Sequence, residues 1–356
     1  ENINEDSPVF LTIAYHKTRI MIESKKIEEA RSFIDNLLFK KDKSLAPSTL
    51  NHFYHLRMLT AADLKEFLKY SQRIPAGIIG SESDRGIQFP LNIREDIENA
   101  KIFMDGRKLL DADSVRLINI KIPLQLLKEI SFDNDLPTHL RKNLLIATWA
   151  RAVLLNRHDI ASEINPILKE FVPELNPFID SYGAGKTTDE RKFAAIFTIL
   201  KFPGMKPFIS GGMERLIPLH KVDDFRDNWW CALKLNPQTD DFLNYQRTIS
   251  NPFVDKDNDE NHPYFLNEEE KVQAAKEWQT LTSFGSAPNY LTKQIIQYAK
   301  SNPDDIRIPE ALHYVVRSTR FGCTDVESTK LSKEAFQLLH RKYSNSPWAK
   351  KTKYWH

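Results

Sequence analysis

The densest cluster of side chains able to recognise a ligand is Phe225-Arg226-Asp227-Asn228-Trp229-Trp230-Cys231, with Phe242 and Tyr245 following. Indole and phenol faces stack on sugars or apolar side chains, while a guanidinium and a carboxylate orient polar groups. Arg226, Asp227, Trp229, Trp230 and Tyr245 therefore read as a groove for a peptide or a glycan. On a helix, consecutive residues point about 100° apart, so both indoles cannot enter one core easily. The competing reading is structural, a lock between helices with Arg226 paired to an acid.

Other motifs carry less chemistry. Gly183-Ala184-Gly185-Lys186-Thr187-Thr188 looks like the end of a phosphate loop, but Asp180 stands where that loop needs glycine. An interhelix loop, with Thr188 or Asp189 capping the next helix, is the expectation. Asp255, Asp257 and Asp259 alternate like calcium ligands, yet Glu260 replaces the glycine and Leu266 the bidentate Glu. A solvated acidic loop, at most a weak calcium-like site, is the reading there. His52 and His55 lack a third ligand nearby and read as a surface pair, while His313 and His340 read as hydrogen-bonded interhelix residues. HExxH and Gly-x-Ser-x-Gly are absent, and Asp223-Asp224, Asp240-Asp241 and Asp304-Asp305 read as surface acids. No catalytic residue, metal or cofactor is assigned, and the chain is read as not an enzyme.

The elements that must position these residues are helical. Across residues 8–39 the pattern is a helical hairpin, with Ser7 as a cap before Pro8 and Val9, Ile13, Ile20 and Ile22 as the apolar face of its first helix. After Lys25-Lys26, the second helix carries Ile27, Ala30, Phe33, Ile34, Leu37 and Leu38 at helical spacing. Helices are further predicted over 47–59, 61–70, 92–112, 123–131, 137–155, 159–171, 189–201, 268–284, 290–300, 309–320 and 332–343. Pro75, Gly77, Gly80, Gly86 and Pro90 mark a loop over 74–92. Gly204, Pro207, Gly211, Gly212 and Pro218 mark a second irregular stretch, and 251–265 a polar loop. Asn345-Ser346-Pro347 opens one more short helix, whose Trp348 should cover the pair before it. No alternating β-branched run is long enough for a sheet.

Composition agrees. Eleven glycines in 356 residues is about half the usual ~7%, which disfavours doubly wound sheets and barrels. Fifty Lys+Arg against 48 Asp+Glu leave a formal charge of +2, which recommends neither nucleic acid nor a membrane surface. No apolar run reaches the ~18 residues of a membrane span. The chain opens Glu1-Asn2-Ile3 and reads as a mature chain or a piece of a longer precursor, compatible with a membrane tether upstream. Cys231 and Cys323 fit no CxxC spacing; they are either two buried thiols or one disulfide.

Ile27-Glu28-Glu29-Ala30-Arg31 resembles the second-helix opening of a tetratricopeptide repeat. Ser332-Lys333-Glu334-Ala335-Phe336 and Tyr343-Ser344-Asn345-Ser346-Pro347-Trp348-Ala349-Lys350 are similar to the repeat ends of bacterial envelope tetratricopeptide proteins. Thr18 stands where such repeats place a small Gly or Ala. The whole chain resembles the C-terminal part of large bacterial tetratricopeptide-like proteins. The marks are residues 225–231, Ala287-Pro288-Asn289-Tyr290-Leu291, Pro309-Glu310-Ala311-Leu312-His313, Arg320-Phe321-Gly322-Cys323-Thr324 and Lys353-Tyr354-Trp355. The resemblance implies an all-α chain, a right-handed helical-hairpin solenoid (a tetratricopeptide-like superhelix). Its parts are helical hairpins over 1–74, a degenerate repeat region with irregular loops over 75–250, and a C-terminal repeat and cap over 251–356. It implies a non-catalytic scaffold binding a protein or peptide partner, not nucleic acid, in the bacterial cell envelope, periplasmic or outer-membrane associated. The alternatives are an α/α-toroid carbohydrate-active enzyme and a structural arm of a larger enzyme.

Overall fold

The computed structural model describes residues 4–41, 44–74, 76, 108–209, 211, 263–320 and 323–356. The described residues are all-helical apart from one pair of two-residue strands, and they form 15 α-helices. The chain divides into two compact units: Glu1–Leu117 with Gly211–Met213 and Asn261–Glu268, and Ile118–Ser210 with Glu214–Glu260 and Glu269–His356.

The first unit begins with the expected hairpin, α1 (Phe10–Glu23) and α2 (Ile27–Lys41). Ile27, Ala30, Ile34, Leu37 and Leu38 of α2 are buried as their spacing predicts. The inner face of α1 differs from the prediction. Ala14 and Thr18 are its buried residues, whereas Val9, Ile13 and Ile20 stay 51%, 39% and 61% exposed. Apolar residues occur all round this helix, so spacing alone does not select the face. Its inner side is the one where small residues let α2 approach, and Thr18 satisfies its hydroxyl on the Ala14 carbonyl at 2.8 Å. Nor does Ser7 cap through its side chain: Val9 is the N-cap, and Phe10 N donates to the Ser7 carbonyl.

Helices α3 (Pro47–Leu59) and α4 (Leu64–Ser71) follow. Helix α4 starts later than residue 61 because Asp63 accepts from Glu66 N, and Glu66 in turn accepts from Ala62 N. Strands β1 (Gln72–Arg73) and β2 (Leu109–Leu110) then pair antiparallel. Residues 109–110 are thus extended rather than helical, and the next helix, α5 (Ala112–Lys121), was not predicted. Asp111 fixes this start: one carboxylate oxygen accepts from Ser114 N and the other pairs with buried Arg73 at 2.8 Å. Gly211 gives room at this corner, where a Cβ would crowd the Ala112 nitrogen at 3.2 Å.

The second unit holds α6 (Leu124–Phe132), α7 (Thr138–Leu154), α8 (His158–Phe171), α9 (Asn176–Ala184), α10 (Thr188–Lys201), α11 (Glu268–Ser283, from Glu269), α12 (Ala287–Ser301), α13 (Ile308–Ser318), α14 (Ser328–Lys342) and α15 (Pro347–Lys351). A short 3-10 turn, Pro173–Leu175, joins α8 to α9. Every residue of α7 from Leu144 to Leu154 is buried, so this helix is the centre of a core rather than a surface element. One cluster runs from Leu124 through Phe208 and on from Leu281 to Ala349. Helix α12 begins three residues earlier than predicted because Ser286 caps it, with Pro288 in its first turn. Helix α14 also begins early, at Ser328.

Two hairpins, α1–α2 and α7–α8, close on the same turn. Each has one left-handed residue, Lys25 (φ 60°) or Asn156 (φ 57°), and in each the next helix starts two residues later. Gly285 (φ 62°) is also left-handed just before α12, with its N–H on the Thr282 carbonyl. Lys26 N donates to Met21 O and Lys25 N to Ile22 O; Arg157 N and Asn156 N repeat the pattern on Ala152 O and Val153 O. These bonds cap the carbonyls left open at a helix end. Left-handed backbone costs an L-residue roughly 1–2 kcal/mol, less for Asn. Lys25→Gly should therefore gain about 0.5–1 kcal/mol by urea denaturation, net of glycine's entropy cost, and Asn156→Gly only a few tenths.

Cys323 is buried and disulfide-bonded; the other cysteine in the sequence, Cys231, lies outside the described residues. The unfolded, unreduced protein should show no titratable thiol.

Candidate functional site

Arg226, Asp227, Trp229, Trp230 and Tyr245 lie outside the described residues, as do Asp255, Asp257 and Asp259. The other candidates resolve into definite roles. In the first unit, His52 is exposed and meets the Tyr15 ring edge-on at 5.7 Å. His55 is half-buried, with Nδ1 3.5 Å from an Asp113 carboxylate oxygen. Burial, opposed by Asp113, holds its pKa below the ordinary value. The two rings serve different neighbours, and no group of three metal-ligating side chains occurs among the described residues.

The phosphate-loop-like run is helix end and cap. Gly183 and Ala184 belong to α9, and Thr187, not Thr188 or Asp189, caps α10 in a reciprocal capping box with Glu190. Gly185 is needed for close approach: a Cβ there would sit 2.7 Å from Arg191 Cγ, and Arg191 Nε donates to the Gly185 carbonyl.

A shallow groove of about 500 Å³ lies between α8 and α9, lined by Ser162, Asn165, Pro166, Lys169, Asp180 and Gly183. Lys169 and Asp180 bridge it at 2.6 Å. Asn165 Oδ1 is engaged by the indole N–H of buried Trp149 at 2.8 Å. Nearer the start of α8, His158 Nδ1 and the Tyr182 hydroxyl are 2.5 Å apart, while His158 Nε2 is buried without a partner. Burial raises Tyr182 to about 12, and burial with Arg191 lowers His158. A phenol held that high is a poor proton donor or acceptor near neutrality. The pair ties α8 to α9, and the groove's polar groups are engaged within the protein, Lys169 with Asp180 and Asn165 with Trp149. Sequence reading missed it because His158, Ser162, Asn165 and Lys169 carry no motif; only their helical spacing on one face aligns them.

Distant segments of the second unit meet in pairs. Ser286, just before Ala287-Pro288-Asn289, donates to the Cys323 carbonyl at 2.5 Å. Asn289 Nδ2 reaches Asp325 at 2.7 Å and its Oδ1 accepts from Ser328 at 2.9 Å. His313 Nδ1 lies 2.7 Å from the Thr352 hydroxyl, and His340 Nε2 the same distance from the Thr352 carbonyl. Thr352 itself donates to the Trp348 carbonyl, so His313 must present Nδ1–H. Both histidines thus hold helices together, as expected of them. Ser346 caps α15, and half-buried Trp348 lies against His313 and Tyr314 at 5.2 and 5.9 Å. The antiparallel contact of α13 and α14 is made by Leu312, Val315, Val316, Leu338 and Leu339, with Phe336 at its edge.

No family model, no curated protein and no solved structure matches the chain.

Burial, reinforced by Lys351, pushes His313 down to about 4. Its folded pKa lies below the unfolded ~6.5, so its contribution is intact above pH 6.5 and is lost as pH falls towards 4. Stability should drop by about 3 kcal/mol over that window, and His313→Gln should flatten this part of a urea-monitored pH profile.

Proposed function

We propose that the chain is a right-handed solenoid of tetratricopeptide-like hairpins that works as a non-catalytic scaffold for a protein or peptide partner. The observation that carries this reading is the recurrent turn. Two hairpins, α1–α2 and α7–α8, reverse on one left-handed residue and restart two residues later. A repeated turn sets a repeated angle between helices, which lets successive hairpins stack and bury continuous faces. The α8–α9 groove is a place where an extended peptide would lie along such a stack. A disulfide-bonded Cys323 supports an oxidising compartment, in keeping with a periplasmic or outer-membrane-associated setting in a bacterial envelope.

Two measurements test the reading. A compact 356-residue chain has a radius of gyration near ~20 Å; small-angle scattering from the intact chain should exceed this by roughly a third. A value close to the compact one would favour the closed α/α toroid. Gly183 lines the groove, and a Cβ there meets nothing within 4 Å. Gly183→Phe should fill the groove with little change in stability, since phenylalanine is the better helix former by about 0.3–0.5 kcal/mol. Peptides selected on the native chain from a random display library should bind that variant at least tenfold more weakly. Unchanged affinity for every selected peptide would remove the groove from the proposal.

A further inference from the structure

Charge is segregated at the C-terminal end of the second unit. From Ser328 to His356 the sequence holds seven Lys and Arg against one acidic side chain, Glu334, in a chain whose net charge is +2. The acids of this region border the packed face and are neutralised there: Glu327 pairs with Lys293 at 2.7 Å and Glu334 with Lys300 at 2.9 Å, both lysines belonging to α12. Lys330, Lys333, Arg341, Lys350, Lys351 and Lys353 are exposed, and no carboxylate among the described residues lies within ion-pair distance of them.

The last five residues, 352–356, run extended and antiparallel along α14. Thr352 is held at His340, Trp355 stacks against Phe336 at 5.2 Å, and His356 N donates to Ser332 Oγ at 3.1 Å. This path brings Lys353, Tyr354 and Trp355 alongside Lys333, whose ammonium lies 5.4 Å from the Trp355 ring. Tyr354 is 58% exposed and Trp355 40%. The result is a strip of cations interleaved with amphipathic aromatics.

We infer that this strip is a peripheral docking surface for an anionic lipid bilayer. Two features favour lipid over an acidic protein segment. Five of the six cations are lysines, flexible point charges without the planar fork that reads a carboxylate pairwise. Such charges suit a diffuse anionic field, each worth about a fivefold gain in binding near a charged membrane. Exposed indole and phenol rings with polar tips sit favourably at headgroup depth. No helix among the described residues is long and apolar enough to cross a membrane, so attachment through this strip would be along the surface.

Co-sedimentation of the intact chain with vesicles of phosphatidylglycerol and phosphatidylcholine, against pure phosphatidylcholine, tests the inference. Binding should occur on the mixed vesicles, weaken steeply with added salt, and fall roughly a hundredfold in Lys350→Gln/Lys351→Gln/Lys353→Gln. A second variant, Lys330→Gln/Lys333→Gln, should lose roughly 25-fold; it leaves the tail lysines in place should the first fail to fold. Tyr354→Ala/Trp355→Ala should weaken binding while leaving its salt dependence intact. Equal binding to neutral vesicles, or no binding to either, overturns the inference. Binding of a poly-glutamate peptide without binding of anionic vesicles also overturns it, in favour of an acidic protein segment.

Discussion

A helix that must hand the chain to an antiparallel neighbour within three residues has an inexpensive way to end. A single left-handed residue turns the backbone so that the last carbonyls are taken by the amides just beyond them. The α1–α2 and α7–α8 hairpins use that geometry. Lys25 and Asn156 occupy it, so neither turn needs a glycine, whereas α9 passes to α10 through Gly185 at φ −59°. Lysine tolerates the strain at Lys25 because the packed faces of α1 and α2 overdetermine the turn, with Ala30 and Thr18 fully buried and Ala14 nearly so. Asparagine at 156 does so more cheaply, since its short polar side chain suits left-handed backbone.

Where the chain is not helical, its backbone polar groups must be satisfied by something else. Buried side chains do this throughout. In the first unit Asn51 pairs with both the N–H and the carbonyl of Ile74. In the second, Asn119 pairs the same way with Ile209, and Arg151 donates two hydrogen bonds to the Pro207 carbonyl. Glu277 accepts from Leu124 N at 2.7 Å. Arg151 is pushed down to about 10 by burial, against the pull of Glu277, and stays charged at neutral pH. An arginine, a glutamate and two asparagines in a core look like chemistry in isolation. Here they fasten irregular segments to regular ones.

Long segments with one clear apolar stripe were legible: both hairpins at 8–39 and 137–171, and the pairing of α13 with α14. Short segments governed by distant contacts were not. In Ser114-Val115-Arg116-Leu117-Ile118-Asn119-Ile120 the apolar positions follow neither a helical nor an alternating pattern. The helix there exists because Asp111 caps it while holding Arg73 of the neighbouring strand, a partner 38 residues away. Helix α9 was obscured by Pro177 and Gly183, which the structure places in its first turn and on its groove side. The groove itself had no signature, because its residues are ordinary helix-surface types and its shape comes from the approach of α9.

The polar contacts between distant segments of the second unit teach a related point. Ala287-Pro288-Asn289 and the segment around Cys323 meet through Ser286, Asn289, Asp325 and Ser328. Pro309-Glu310-Ala311-Leu312-His313 and the chain before Lys353 meet through His313 and Thr352. Residues this specific, far apart in sequence and joined in pairs, are constraints on folding: each lock fails if one half is changed. They fasten the fold and say little about a ligand. Recognition therefore has to be sought where side chains are not consumed by such locks. In the second unit that leaves the open space over Gly183 in the α8–α9 groove and the cationic strip along α14, which the fold supports and does not itself need.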